Sequence, residues 1–136
     1  MSIFLSNSVE DTRNFGKNFA KNIKKGQVFA LNGEVGCGKT EFVRGVMEEL
    51  SPQTTVSSPT FSVVNSYKCK NFTVYHFDFY RIKNIDELFE IGFEEYLSKD
   101  NVVFIEWADM FPQALSENVG TLNFEAVGEN ERKITF

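Results

Sequence analysis

The sequence predicts a single α/β domain: a mostly parallel sheet with antiparallel edge strands, flanked by helices. Three observations point there. Short apolar runs alternate with segments of helical spacing, the pattern of a chain that returns repeatedly to one sheet. The run Gln27 to Asn32 (QVFALN) is followed at once by glycine and then by a helical pattern, so it reads as a buried strand feeding a helix. Near the C-terminus, Thr121 to Val127 and Lys133 to Phe136 are strand-like runs around the turn GENE, which predicts a hairpin.

Taken in order, Ile3 to Leu5 reads as a short first strand, ending at Ser6 and Asn7. Ser8 is suited to cap a helix running to about Lys25, with Phe15, Phe19 and Ile23 on one face and Lys24, Lys25 and Gly26 at its end. After the QVFALN strand, Glu41 to Leu50 repeats Phe42, Val43, Val46 and Leu50 at helical spacing, until Ser51 and Pro52 stop it. Gln53 to Thr60 is polar, carries Pro59 and reads as a loop. Phe61 to Tyr67 and Phe72 to Phe77 are rich in aromatic and β-branched residues and flank the turn-like KCKN, which predicts a second hairpin. Ile85 to Leu97 reads as a helix broken at Gly92. Val102 to Ile105 (VVFI) is the clearest buried strand, and Met110 to Leu115 a helical turn interrupted by Pro112.

Between the second strand and its helix lies Gly33 to Thr40, GEVGCGKT, which fits the phosphate-binding pattern GxxxxGK[ST]. Its context is the one the chemistry needs. Glycines let the backbone bend so that the N–H groups from Glu34 through Val35, Gly36, Cys37, Gly38 and Lys39 turn inward toward phosphate oxygens. The helix N-terminus adds about half a positive charge. Lys39 is placed to reach the β- and γ-phosphates, and the Thr40 hydroxyl to bind Mg²⁺.

A P-loop binds a triphosphate without deciding its fate. Hydrolysis also needs a metal-holding carboxylate, a contact to the γ-phosphate and a group that orients water. Asp78, just after an apolar strand, suits the first; Thr60, in the loop after the P-loop helix, suits the second. Glu106, at the end of VVFI, suits the third, either polarising water or completing the metal site. In open α/β sheets ligands bind at the carboxyl ends of the strands, where Gly33, Asp78 and Glu106 would all emerge. Trp107 is suited to stack on a base or to pack beside the core strand. His76, between Tyr75 and Phe77, reads as a packed strand histidine or a hydrogen-bond orienter, and Arg81 as a partner for Asp78 or for an acidic group on another protein.

Composition narrows the remaining classes. With 136 residues the chain holds one domain, its core supplied largely by fifteen Phe and four Tyr. The net charge is −5 and no basic run is present, so direct nucleic-acid binding is disfavoured and any such role would come through a partner. Cys37 and Cys69 have no metal-ligand spacing, and a disulfide from the phosphate loop would oppose its closing on nucleotide. Reduced thiols, no signal-peptide pattern and no apolar run approaching ~20 residues predict a cytoplasmic protein without a membrane anchor.

VSSPTF (Val56 to Phe61), HFDFYR (His76 to Arg81) and IEWAD (Ile105 to Asp109), together with GEVGCGKTEFVRG, stand in the order and spacing of the TsaE (YjeE) family, and ELFEIGFEEYL resembles its segment after HxDxYR. That family comprises the bacterial ATPases of tRNA threonylcarbamoyladenosine biosynthesis. The resemblance covers roughly Asn32 to Leu115. It implies a small P-loop NTPase fold and an ATP- and Mg²⁺-dependent ATPase acting with TsaD and TsaB. That assembly modifies N6 of adenosine 37 in tRNAs, which would be met only through the complex, and hydrolysis supports its repeated turnover. By position, Lys39 and Thr40 become the Walker A residues, Thr60 part of a switch-like loop, Asp78 the Walker B-like Mg²⁺ residue and Glu106 the catalytic residue, with Trp107 beside the nucleotide. Val35 and Cys37 depart from the usual Leu and Ala or Ser, and neither change removes a backbone donor.

Two other classes fit less well. A small-molecule P-loop kinase needs a lid rich in arginine, and only Arg44, Arg81 and Arg132 follow Arg13. A GTP-dependent switch needs an NKxD base-reading motif, which is absent.

Overall fold

In a computed structural model, which describes residues 2–136, one seven-stranded sheet carries helices on both faces. The strands are β1 (Ile3–Ser6), β2 (Val28–Asn32), β3 (Val64–Lys68), β4 (Thr73–Asp78), β5 (Asn101–Glu106), β6 (Gly120–Ala126) and β7 (Arg132–Thr135). The helices are α1 (Val9–Ala20), α2 (Lys39–Leu50), α3 (Ile85–Glu90) and α4 (Phe93–Tyr96). The spatial order is β1-β7-β6-β2-β5-β4-β3. The four inner strands β6, β2, β5 and β4 run parallel, whereas β1, β7 and β3 pair antiparallel with their neighbours.

Strand alternation builds both cores. On β5, Val102 and Phe104 face one side, with Leu31 of β2 and Phe42, Val43, Val46 and Met47 of α2. Val103 and Ile105 face the other, with Phe77, Phe79, Leu88 and Phe93. Phe42 is the hub of the first core, its ring within 6 Å of those of Phe15, Phe19, Phe104 and Phe124. Full burial of a side chain of this size contributes about 1.5–3 kcal/mol.

Helices α1 and α2 touch backbone to backbone. A Cβ on Gly16 would lie 2.2 Å from the Phe42 carbonyl oxygen, and one on Gly45 1.9 Å from that of Arg13. Neither contact can be relieved by a side-chain rotation, because both meet main chain. Gly45→Ala is therefore expected to cost about 1–3 kcal/mol, read as a lower denaturation midpoint at unchanged m-value. An unchanged midpoint would mean that the helices separate without penalty.

Several boundaries differ from the sequence reading. The first helix ends at Ala20 rather than near Lys25. Beyond it the Gln27 side chain accepts from Lys24 N–H at 2.7 Å, a local bond, and Gly26 N–H donates to the Asn101 carbonyl at 2.8 Å, a tertiary one that ties the chain to the sheet. Ile23 nonetheless packs on the first core. Of the strand expected over Phe61 to Tyr67, only Val64 onward pairs. Val63 N–H instead donates to Pro59 at 2.7 Å, and its carbonyl receives Asp78 N–H at 2.9 Å. This turn holds Val63 at φ 69°, unfavourable for a β-branched residue. Gly92, at φ 73°, divides the next helix into α3 and α4 as anticipated. Among the described residues, no helix is long and apolar enough to cross a membrane.

Candidate nucleotide-binding site

The P-loop lies between β2 and α2, with Lys39 the first helical residue and Gly38 preceding it at φ 102°. A left-handed residue before the first turn is open to glycine at little cost, which frees the following N–H groups to point outward. The loop borders a cleft of about 260 Å³ lined, among others, by Val35, Gly36, Gly38, Lys39, Thr40, Thr60, Asp78, Glu106 and Trp107. Glu34 and Cys37 are not among the lining residues. Glu34 is exposed, while Cys37 is buried beneath the loop, where burial pushes its thiol pKa up and keeps it protonated. The side chain at 37 therefore fills space and is not an exposed redox thiolate.

Register explains why the two carboxylates meet. Asp78 lies directly opposite Glu106 across the parallel β4–β5 pair, and both are terminal residues of their strands. Alternation puts them on the α2 face, with His76 one step back on β4. Both are almost fully buried, at 3% and 5% exposure. Asp78 accepts from the Thr60 hydroxyl at 3.0 Å and from Tyr80 N–H at 2.8 Å. Thr60 in turn lies 2.7 Å from the Ser58 hydroxyl, which must donate, since the Thr60 proton is committed to Asp78. The loop after the P-loop helix is thus fastened to the metal-binding candidate.

Glu106 is shared between two neighbours. One oxygen, Oε2, lies 2.5 Å from His76 Nε2, and the other, Oε1, lies 3.9 Å from Lys39 Nζ. Lys39 also donates to the Gly33 carbonyl oxygen. Its ammonium sits 4.5 Å from the Trp107 ring centroid, a cation–π arrangement. Trp107 holds φ 58° just after β5, and Tyr80 packs against it at 5.1 Å between centroids. Lys39 is held ready over the cleft by groups that a phosphate would replace.

The donors fit Mg²⁺. Thr40 and Asp78 offer hard oxygens, and among the described residues no cluster of three His, Cys, Asp or Glu forms an all-protein cage. That suits an ion that keeps several waters and takes its remaining ligands from phosphates. Arg81 does not meet Asp78: its guanidinium lies 4.3 Å from the exposed Phe61 ring.

Sequence reading missed the far wall of the cleft. The cap residue Ser8 and Val9 and Thr12 of the first turn of α1, with Asn130 and Arg132 of the last hairpin, also line it. Arg132 donates to the Gly36 carbonyl at 2.9 and 3.2 Å, fastening β7 to the P-loop. Ser8 was legible only as a helix cap, which it is, accepting from Asp11 N–H at 3.0 Å. Arg132 carried no motif at all; the β6–β7 register brings it there.

The chain is similar to known proteins over nearly its whole length. The family model described as "Threonylcarbamoyl adenosine biosynthesis protein TsaE" matches residues 6–134. The tRNA threonylcarbamoyladenosine biosynthesis protein TsaE of Rickettsia typhi is 39% identical over 127 residues, covering 93% of this chain and 88% of that protein. The Bacillus subtilis protein of the same name is 35% identical over 127 residues, covering 93% and 79%. The crystal structure of Bacillus subtilis YdiB superposes with a TM-score of 0.80 at 28% identity, covering 98% of this chain and 82% of that one. A match over nearly the whole chain, on a fold that brings the motif residues to one cleft, establishes that the chain belongs to the TsaE family of threonylcarbamoyladenosine biosynthesis proteins.

Proposed function

We propose that residues 1–136 form a single Mg²⁺-dependent P-loop ATPase domain that sustains turnover of the TsaD–TsaB complex, which installs threonylcarbamoyl on N6 of adenosine 37 in tRNA. One observation carries the ATPase reading. Lys39, Thr40, Thr60, Asp78 and Glu106, from four separate segments, line one cleft at the carboxyl ends of parallel strands. The partners follow from the family resemblance, and the net charge of −5 fits a subunit that leaves tRNA to them. Two free cysteines favour a reducing, cytoplasmic location.

The roles follow from position. Backbone N–H groups of the P-loop cradle the phosphates, and Lys39 leaves Gly33 and Glu106 for the β- and γ-oxygens. The Thr40 hydroxyl and Asp78 would hold Mg²⁺, which would supply positive charge against the phosphates. Thr60 exchanges its bond to Asp78 for the γ-phosphate side, so the loop carrying Phe61 follows the nucleotide state. Glu106 orients the attacking water and takes its proton while the γ-phosphoryl group leaves ADP. Trp107 covers the phosphate end or stacks on the base.

The test is the threonylcarbamoyladenosine content of tRNA, by mass spectrometry, in cells depleted of this protein. Loss of the nucleoside is expected, with restoration by wild type and not by Lys39→Ala. Unchanged content on depletion would overturn the pathway assignment.

A further inference from the structure

The buried base of the site holds a group for which the roles above have no use. His76, the chain's one histidine, is fully buried in β4, with Nε2 2.5 Å from Glu106 Oε2. Its Nδ1 is buried without a hydrogen-bond partner among the described residues. Facing a carboxylate oxygen at that distance, Nε2 must carry the proton, because two lone pairs would repel. Nδ1 then has no partner for a second proton among the described residues. The opposite tautomer would bury an unsatisfied N–H at Nδ1 and set a lone pair against the carboxylate, incurring two penalties.

The consequence concerns Glu106. Its other oxygen lies 3.9 Å from Lys39 Nζ, near but short of a close ion pair. A carboxylate free to rotate would close on that ammonium, withdrawing both groups from phosphate and water. His76 opposes this from below. It sits on the same face of β4 as Asp78, which is opposite Glu106, so the strand register sets the imidazole beneath the carboxylate.

We propose that His76 is a positioning residue: its Nε2–H holds Glu106 Oε2, keeping Oε1 turned toward the cleft and the carboxylate apart from Lys39. The proposal rests on the reading of Glu106 as the water-orienting group and adds the residue that fixes its geometry. Partners of this kind are typically worth about 10–100-fold when removed.

Two measurements test it. With only one histidine, ¹⁵N-labelled wild-type protein gives a single imidazole spin system at neutral pH. A proton on Nε2 is expected, as a downfield N–H resonance that moves in Glu106→Gln. A protonated Nδ1 with bare Nε2 would overturn the proposal without reference to activity. In the assembled complex, His76→Leu is expected to lower kcat for ATP hydrolysis by about 10–100-fold, with KM within about twofold. His76→Gln, which returns an N–H near the Nε2 position, is expected to recover most of the loss. Wild-type kcat in His76→Leu, or a raised KM at unchanged kcat, would overturn it, as would a folded His76→Gln no better than His76→Leu. Absence of hydrolysis in wild type would count against the ATPase reading alone, since the tautomer measurement still decides the His76–Glu106 bond.

Discussion

Lys39→Ala is expected to weaken ATP binding by roughly 30-fold or more while leaving the protein folded. The Lys39 side chain is 4% exposed; its ammonium donates to the Gly33 carbonyl and lies 3.9 Å from Glu106 Oε1 and 4.5 Å from the Trp107 ring centroid. It is thus already desolvated and aimed at the cleft before nucleotide arrives. Truncating one member of a buried, hydrogen-bonded charge pair costs about 2–5 kcal/mol, equivalent to roughly 30- to several thousand-fold in Kd. Alanine is the strongest helix former, so the first turn of α2 is not weakened by the change. Calorimetric titration of Mg-ATP into wild type and variant, with circular dichroism to confirm folding, reads the effect. An unchanged Kd would sink the P-loop assignment, because Lys39 is the one lysine lining the cleft among the described residues and the other lining cation, Arg132, is bonded to the Gly36 carbonyl.

Glu106→Gln should separate binding from chemistry. Glutamine keeps the shape and can still accept from His76 through its amide oxygen, so the buried network beneath it survives. What disappears is the basic carboxylate, and with it general-base assistance worth about 10²–10⁴-fold in rate. ATP affinity is expected to stay within several-fold. Single-turnover phosphate release in the assembled complex measures the loss, and the Mg²⁺ concentration for half-maximal rate tells which function Glu106 serves. A raised Mg²⁺ requirement identifies a metal-completing carboxylate; an unchanged one identifies a group acting on water. Normal hydrolysis would make Glu106 structural, a partner of Lys39 and His76 only.

Much of this was legible in the chain itself. QVFALN followed by GEVGCGKT and a helical pattern is local information: apolar runs set the strand, glycines permit the loop, and spacing sets the helix. The positions of Asp78 and Glu106 at strand ends were readable for the same reason. Their side-by-side placement was not, because it depends on a register between strands separated by α3 and α4. The short strand at Phe61 failed for a related cause. Its residues favour extended structure, yet bonds from Val63 to Pro59 and Asp78 outweigh that local preference.

His76 shows the division most clearly. From neighbours alone, a histidine between Tyr75 and Phe77 reads first as a packed residue and only second as an orienter; the structure shows it fully buried and within 2.5 Å of Glu106 Oε2. Arg132 lies further from what sequence can reach, since its contact with Gly36 joins positions 96 apart across a hairpin register. The sequence by itself determined the phosphate loop, the order of strands and helices, and the family to which the chain belongs. Tertiary structure alone decided which polar groups share a proton or a charge at the base of the cleft. The physical reason is range: dihedral preference and hydrophobic period act over a few residues. Hydrogen bonds at 2.5 to 3.0 Å exist only after the sheet has brought distant strand ends together.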